Sequence, residues 1–355
     1  MFRKPQIELR ASPHVHAPQD VVSIMRNVVL AILPIEAWFI WQFGLSAILL
    51  LAVVLAACLL SERLVAWARG QSSPLGDYSA VITAMLLVLT VPPSLPLWMG
   101  AVAGVVAIGL GKAFFGGLGY NVFNPALVGR AFVQAAFPVS VNTWPPAMFE
   151  GRFSSLMPST LAAPFTHPAD ISAWGLKVAA DAYSGATPLA LQKFQSQQVP
   201  LLELFAGSHA AYVTGPPALL ILVCGLYLAL RRMLDWRIPL SVMAAAAALS
   251  GALWLYKPEA YPDPLFVLTS GGLMLGAWFM ATDMVGSPVT RTGAIIFGLL
   301  IGVITVIIRL FGGMTEGVMY AILLGNAATP LIEFYTQPKT FGARHARRGG
   351  KGGAS

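Results

Sequence analysis

The chain has 355 residues, 57% apolar and only 10% charged, with 22 basic and 15 acidic side chains. A soluble domain is about 25% charged, so most of this chain must face lipid, which excludes a cytosolic enzyme, a disordered chain and a disulfide-knit secreted module. The net charge of +7 does not point to nucleic acid, because the charges are spread over loops and ends.

Residues 1–26 are polar and basic, without the short apolar core of a signal peptide. They read as a cytoplasmic segment, with His14 and His16 solvated. A bilayer crossing needs about 20 mostly apolar residues. That window predicts spans near Asn27–Phe43, Gly44–Leu60, Tyr78–Val91, Pro96–Gly111 and Leu118–Phe137, a first membrane half over 27–137. The third, fourth and fifth are short or interrupted by Pro and Gly, as half-helices or re-entrant turns would be. Ionisable groups within spans are costly and default to functional candidates. Here they are Glu36, after Pro34 in the first span, and Arg130, midway along the fifth behind Asn124–Pro125. Arg130 reads equally as the structural partner of an acid. Cys58 and Cys224 lie in apolar runs outside any Cys-x-x-Cys pair, so they read as small hydrophobes and not as metal or iron–sulfur ligands.

Residues 138–211 are rich in Pro, Ser and Thr and form the one long external loop. It contains Asp181-Ala-Tyr-Ser184-Gly185-Ala186-Thr187-Pro188. Pro188 pushes Thr187 toward an extended conformation, and Gly185 and Ala186 leave its hydroxyl open to approach. A threonine hydroxyl is a poor nucleophile without an adjacent base, and His167 is the histidine in sequence range. Modification by a separate enzyme therefore fits better than self-catalysis.

The second half, 212–334, is predicted to cross near Tyr212–Leu230, Ile238–Tyr256, Leu265–Ala281, Thr292–Leu310 and Gly317–Phe334. Asp283 closes the eighth span beside Gly286 and Pro288, and Asn326 precedes Pro330, which reads as a break in the tenth. Glu36, Asp283, Asn124, Asn326 and Arg130 are the candidates for an ion path, with helix–helix hydrogen bonding the alternative for the two asparagines. Arg309 and Glu333, near span ends, read as side chains that snorkel to the interface. Residues 335–355 form a basic tail that suits an anionic inner leaflet. Sixteen of the 22 basic residues fall on the loops sharing a side with the termini and four on the other, which puts both termini in the cytoplasm and the long loop in the periplasm. Five spans per half implies opposite orientations, and Asp77 with Asp263 and Asn124 with Asn326 recur at matching places. The expected fold is an all-α polytopic membrane protein of about ten transmembrane helices in two inverted five-helix repeats.

Asp181-x-x-Ser184-Gly185-Ala186-Thr187 resembles the acceptor motif of the flavin transferase that moves FMN from FAD onto a threonine. Asn121-Val-Phe-Asn-Pro-Ala-Leu-Val-Gly-Arg-Ala-Phe132, Met280-Ala-Thr-Asp-Met-Val-Gly-Ser-Pro288 and Gly325-Asn-Ala-Ala-Thr-Pro-Leu-Ile-Glu333 resemble signatures of the D-type subunit of the Rnf ion-translocating electron-transport complex. The related B-type subunit of the sodium-translocating NADH:quinone reductase shares the first of them. The resemblance implies FMN bound covalently to Thr187 by a phosphoester, a role in passing electrons between partner subunits while Na⁺ or H⁺ crosses the bacterial inner membrane, and maturation by the transferase. The likeness to the B-type subunit adds a second, non-covalent flavin, for which no motif is legible. The hydropathy and interrupted helices would equally suit a secondary transporter without redox activity, or a scaffold for partner subunits.

Overall fold

The computed structural model describes residues 20–70, 75–164, 166, 168–178, 187–195, 199–206 and 216–338, and among them every regular element is helical. Helix α1 (Val21–Phe43) opens earlier than its apolar stretch predicts, because the Asp20 carboxylate accepts from the Ser23 amide at 2.7 Å and caps it. Gly44, at φ +67°, turns the chain directly into α2 (Leu45–Ala68). A Cβ at Gly44 would overlap the Arg152 carbonyl oxygen, so both backbone angle and space demand glycine.

Shorter pieces follow: α3 (Ser79–Val88), α4 (Leu97–Ile108, continued by a π-helical turn Gly109–Ala113) and α5 (Pro125–Ala136). The fifth span is predicted to start at Leu118, and this is corrected. Gly116, Gly117 and Gly119 take positive φ, so the chain stays irregular until Asn124 caps α5. Its Oδ1 accepts from the Ala126 amide at 3.0 Å and the Leu127 amide at 3.4 Å, with Pro125 at the first helical position. Among its described residues the long loop carries four short helices, α6 (Pro138–Asn142), α7 (Ile171–Val178), α8 (Pro188–Gln195) and α9 (Leu201–Ala206).

The second half comprises α10 (Ala218–Leu230), α11 (Arg237–Tyr256), α12 (Pro264–Thr269), α13 (Leu273–Leu275, passing into a π turn Gly276–Met280), α14 (Arg291–Phe311) and α15 (Val318–Thr336). The eighth span, predicted as continuous, is broken at Ser270-Gly271-Gly272, where Gly271 has φ +64°. Helices α1, α2, α11, α14 and α15 are long and apolar enough to cross a membrane, and α3, α4 with its π turn, and α10 are shorter apolar helices. Leu64, Trp67, Leu230, Leu255 and Phe334 are exposed on the outer surface, as side chains facing lipid would be. The chain is a multi-pass membrane protein.

One packing device serves both halves. Helix α4 lies along α2 with Gly100 and Gly104 against Leu50, Val54 and Cys58, and α14 lies along α11 with Gly298 and Gly302 against Ser241, Val242 and Ala245. Small residues four apart let helix backbones approach where lipid removes the hydrophobic drive for association. Gly129 then seats α5 on α4, and Gly325 seats α15 on α14. The halves meet where α1 packs on α10 and α5 on α15.

Candidate functional site

The three sequence signatures converge where two interrupted helices face each other. Asn124, at the start of α5, donates through Nδ2 to the Met280 carbonyl at 3.2 Å, at the end of the π turn after α13. Asn121 donates to Asp283 Oδ2 at 3.2 Å, and Asp283 Oδ1 accepts from the Val285 amide at 3.3 Å. Gly286 abuts Asn326 of α15 so closely that a Cβ there would overlap Asn326 Nδ2, and Thr329 donates to the Gly286 carbonyl at 2.8 Å. Asn124 thus has both ends of its amide committed to structure, whereas Asn326 Oδ1 is buried without a partner. The chemistry collected here is oxygen-rich, a carboxylate and a spare amide carbonyl, which suits a proton or a hard cation.

This junction separates two cavities at opposite ends of α3 and α10. The first, about 790 Å³ of empty space including its mouth, is lined by Ser79, Thr83, Lys112, Asn121, Asn124, Phe279 and Asp283. The second, about 830 Å³ on the same measure, is lined by Thr90, Leu127, Arg130, Thr187, Gly271, Leu275, Met280 and Glu316. Helix α5 and residues 275–283 contribute to both, so they form the wall between them.

Thr187 sits half-buried on the lip of the second cavity, where its Oγ1 accepts from the Ala190 amide at 3.3 Å and begins α8. Leu189 and Leu191 pin α8 into a small core with Val199, Leu204 and Phe266. Its far end is held by Lys193, whose ammonium donates to the carbonyls of Arg309 (2.8 Å), Gly312 and Met314 (3.0 Å) at the C-terminal end of α14. A cation placed there satisfies carbonyls that a helix end leaves open and complements its dipole. Burial pulls the Lys193 amine below the ordinary lysine value. Asp181, Ser184, Gly185 and Ala186 lie outside the described residues.

Arg309 does not snorkel, which corrects the sequence expectation. It is buried, and it donates to the Val267 carbonyl at 2.7 Å and the Ser270 carbonyl at 3.1 Å. The break after α12 frees those carbonyls from helical donors, and in a membrane interior they need a replacement. Arg130 has found its acid: its Nη2 stands 3.5 Å from Glu316 Oε2 across the second cavity. Glu333, partly buried, accepts from the Val289 amide at 2.9 Å. Glu36 lies apart, buried in α1, lining neither cavity, with no hydrogen-bond partner for either oxygen.

The sequence reading missed one buried network. Lys112, predicted to lie in a loop, is buried in the π turn that prolongs α4, and it donates to Glu62 of α2 and to Ser79 Oγ. Ser79 in turn donates to Asp77 at 2.5 Å. The available signal was that apolar residues resume at Leu64-Val65-Ala66 beyond Glu62, so that the acid falls inside the helix and not at its end.

Residues 8–342 match the family described as NQR2, RnfD, RnfE. The chain belongs to that family. Among its relatives, the D-type subunit of an ion-translocating oxidoreductase complex from Alcanivorax borkumensis is 37% identical, over 95% of this chain and 97% of the relative. The D-type subunit of the Na⁺-translocating ferredoxin:NAD⁺ oxidoreductase complex of Acetobacterium woodii is 38% identical, over 97% of this chain and 98% of its own length. Its counterpart in the proton-translocating complex of Clostridium ljungdahlii is 35% identical over the same shares. The resemblance carried by the three signatures therefore extends along nearly the whole NQR2/RnfD/RnfE chain.

Proposed function

We propose that this protein is the membrane flavoprotein component of an Rnf-type complex, carrying FMN on Thr187 and coupling electron transfer on the ferredoxin and NAD⁺ side to passage of Na⁺ or H⁺. The observation that carries this reading is the position of the Thr187 hydroxyl, at the start of a helix and on the lip of the second cavity. The residues present fit the group. Amides at the start of α8 suit a phosphate, Leu127, Leu275 and Met280 offer apolar walls to a flat ring, and Arg130 adds a cation. FMN supplies one-electron and two-electron chemistry when bound. The chain's own residues do the rest: Thr187 tethers, Lys193 and the α8 core fix the tether's direction, and the cleft walls limit water.

In this reading the flavin transferase recognises Asp181, Ser184, Gly185 and Ala186. A second, non-covalent flavin belongs in the first cavity, beside Lys112 and Asn121. The ion path runs through Asp283 and Asn326 at the wall, held in shape by Asn124. Ten crossings in two inverted halves, with the termini in the cytoplasm and the Thr187 loop in the periplasm of the bacterial inner membrane, belong to the same reading; the asymmetry of basic residues and the twice-used glycine pairs support it. Other membrane and peripheral subunits of the complex supply the electron donor and acceptor.

The broken helices α12 and α13 also suit a secondary transporter without redox chemistry. Denaturing gel electrophoresis of protein purified from cells that make the transferase separates the two. The flavoprotein gives a fluorescent band that Thr187→Ala abolishes, whereas a plain transporter gives a dark one.

A further inference from the structure

The Thr187 cleft contains more cation than its own contacts use. A guanidinium has five N–H donors. The terminal nitrogens of Arg309 are directed to two backbone carbonyls of the broken span, and its Nε is buried without a partner. Arg130 also has a buried Nε without a partner, and its terminal nitrogens are less well used: its closest acid is Glu316 at 3.5 Å, beyond an ordinary charge-assisted hydrogen bond. Arg130 and Glu316 are the charged side chains lining this cleft among the described residues. Behind them, Glu316 Oε1, Arg309 Nη2 and Leu189 Cδ1 all crowd the point where a Cβ of Gly271 would stand, at 2.9, 3.2 and 2.5 Å. Among the described residues that meet at this point, two guanidiniums stand beside one carboxylate, which leaves positive charge in excess. The phosphate end of an FMN on Thr187 is already served by the amides of α8. Arg130 stands on α5, with Leu127, Leu275 and Met280 around it on the cleft wall.

We propose that Arg130 is the positioning residue that tunes the flavin's potential, by facing the isoalloxazine ring and supplying the countercharge when the ring becomes an anion. Glu316 acts in the opposite sense, by partly cancelling that charge. The inference rests on the assignment of FMN to Thr187. With FMN bound, an electron taken from a one-electron carrier of the complex without a proton would leave the ring one negative charge, which the Arg130 guanidinium would meet; once that electron had passed to the next carrier, Arg130 would face Glu316 alone. In a desolvated cleft a nearby opposite charge favours the charged form of its partner strongly.

The test uses the assembled complex, with redox titration of the flavin followed by absorbance and its share identified by subtraction of Thr187→Ala complex. Arg130→Gln should make one-electron reduction about tenfold less favourable, a shift of about 59 mV to more negative potential. Arg130→Lys should fall between the two. Glu316→Gln should shift the potential to more positive values, and this opposite sign is what a merely structural role would not give. The in-gel fluorescence of each band is read first. A dark wild-type band overturns the flavin assignment and this inference with it. Fluorescent bands whose potentials stay unchanged, or move in the same direction in Arg130→Gln and Glu316→Gln, overturn the role of Arg130 and leave the assignment standing. Should Arg130→Gln fail to assemble, the sign of the Glu316→Gln shift decides alone.

Discussion

Asn124 is the residue on which both cavities depend. Its oxygen caps α5 and its nitrogen holds the Met280 carbonyl, so one side chain fixes the start of one interrupted helix and the end of another. Asn124→Ala removes the cap, worth about 1 kcal/mol, and strands a buried carbonyl at a further cost of about 1–3 kcal/mol. A clear drop in thermal stability of the purified protein is expected, and Asn124→Asp, which keeps the capping oxygen but sets a second oxygen against the Met280 carbonyl, should also lose stability. An unchanged melting profile for Asn124→Ala would mean that the wall is held elsewhere. Residue types were legible in the sequence, because an Asn followed by Pro inside an apolar run announces a break. Its partner was not, because Met280 contributes a backbone carbonyl, which no sequence pattern marks. Glu62 and Lys112 were missed for a related reason. A π turn carries the lysine past the apparent end of its span, and only the fold shows that the acid of α2 is waiting there.

The pairing of α11 with α14 is closer than that of α2 with α4, and the glycines show where. A Cβ on Gly302 would lie 2.5 Å from the Val242 carbonyl oxygen, which is backbone and cannot move aside, whereas one on Gly100 would meet Leu50 Cδ1, the end of a flexible side chain. Gly302→Ala is expected to destabilise by about 1–3 kcal/mol through overpacking, and Gly100→Ala by distinctly less. Detergent-solubilised protein, heated and passed over a sizing column, gives the comparison. Equal losses would contradict the packing described. Long helices with uninterrupted apolar runs were legible to within a turn or so, as α11 and α14 show, whereas α15 runs on through Pro330, where the sequence suggested a break. The interrupted ones were legible in existence but not in extent. Gly-rich backbone at 114–124 and at 270–272 looks apolar enough to continue a span, and the positive φ of Gly116, Gly117, Gly119 and Gly271 is a tertiary outcome.

At the scale of the molecule, the halves use one packing plan and meet at a wall between two cavities. The proposed orientation has a direct consequence for the termini and the Thr187 loop. Single cysteines introduced at Ser208 and at Ser355, in a background lacking Cys58 and Cys224, should differ in intact cells. A membrane-impermeant thiol reagent is expected to label the first and spare the second until the cells are opened. Labelling of both, or of Ser355→Cys alone, would reverse or refute the topology. The proposed orientation was read from the basic residues, because insertion responds to charge near span ends. The cavities were not, since their walls join residues from both halves.

The covalent attachment itself is decided by mass spectrometry of the proteolytic fragment containing Thr187, taken from the complex assembled in cells that make the flavin transferase. The expected fragment carries one FMN as a phosphoester, with fragment ions placing it on Thr187 and not on Ser184. A fragment found only at its unmodified mass, in a complex that still transfers electrons, would contradict the account.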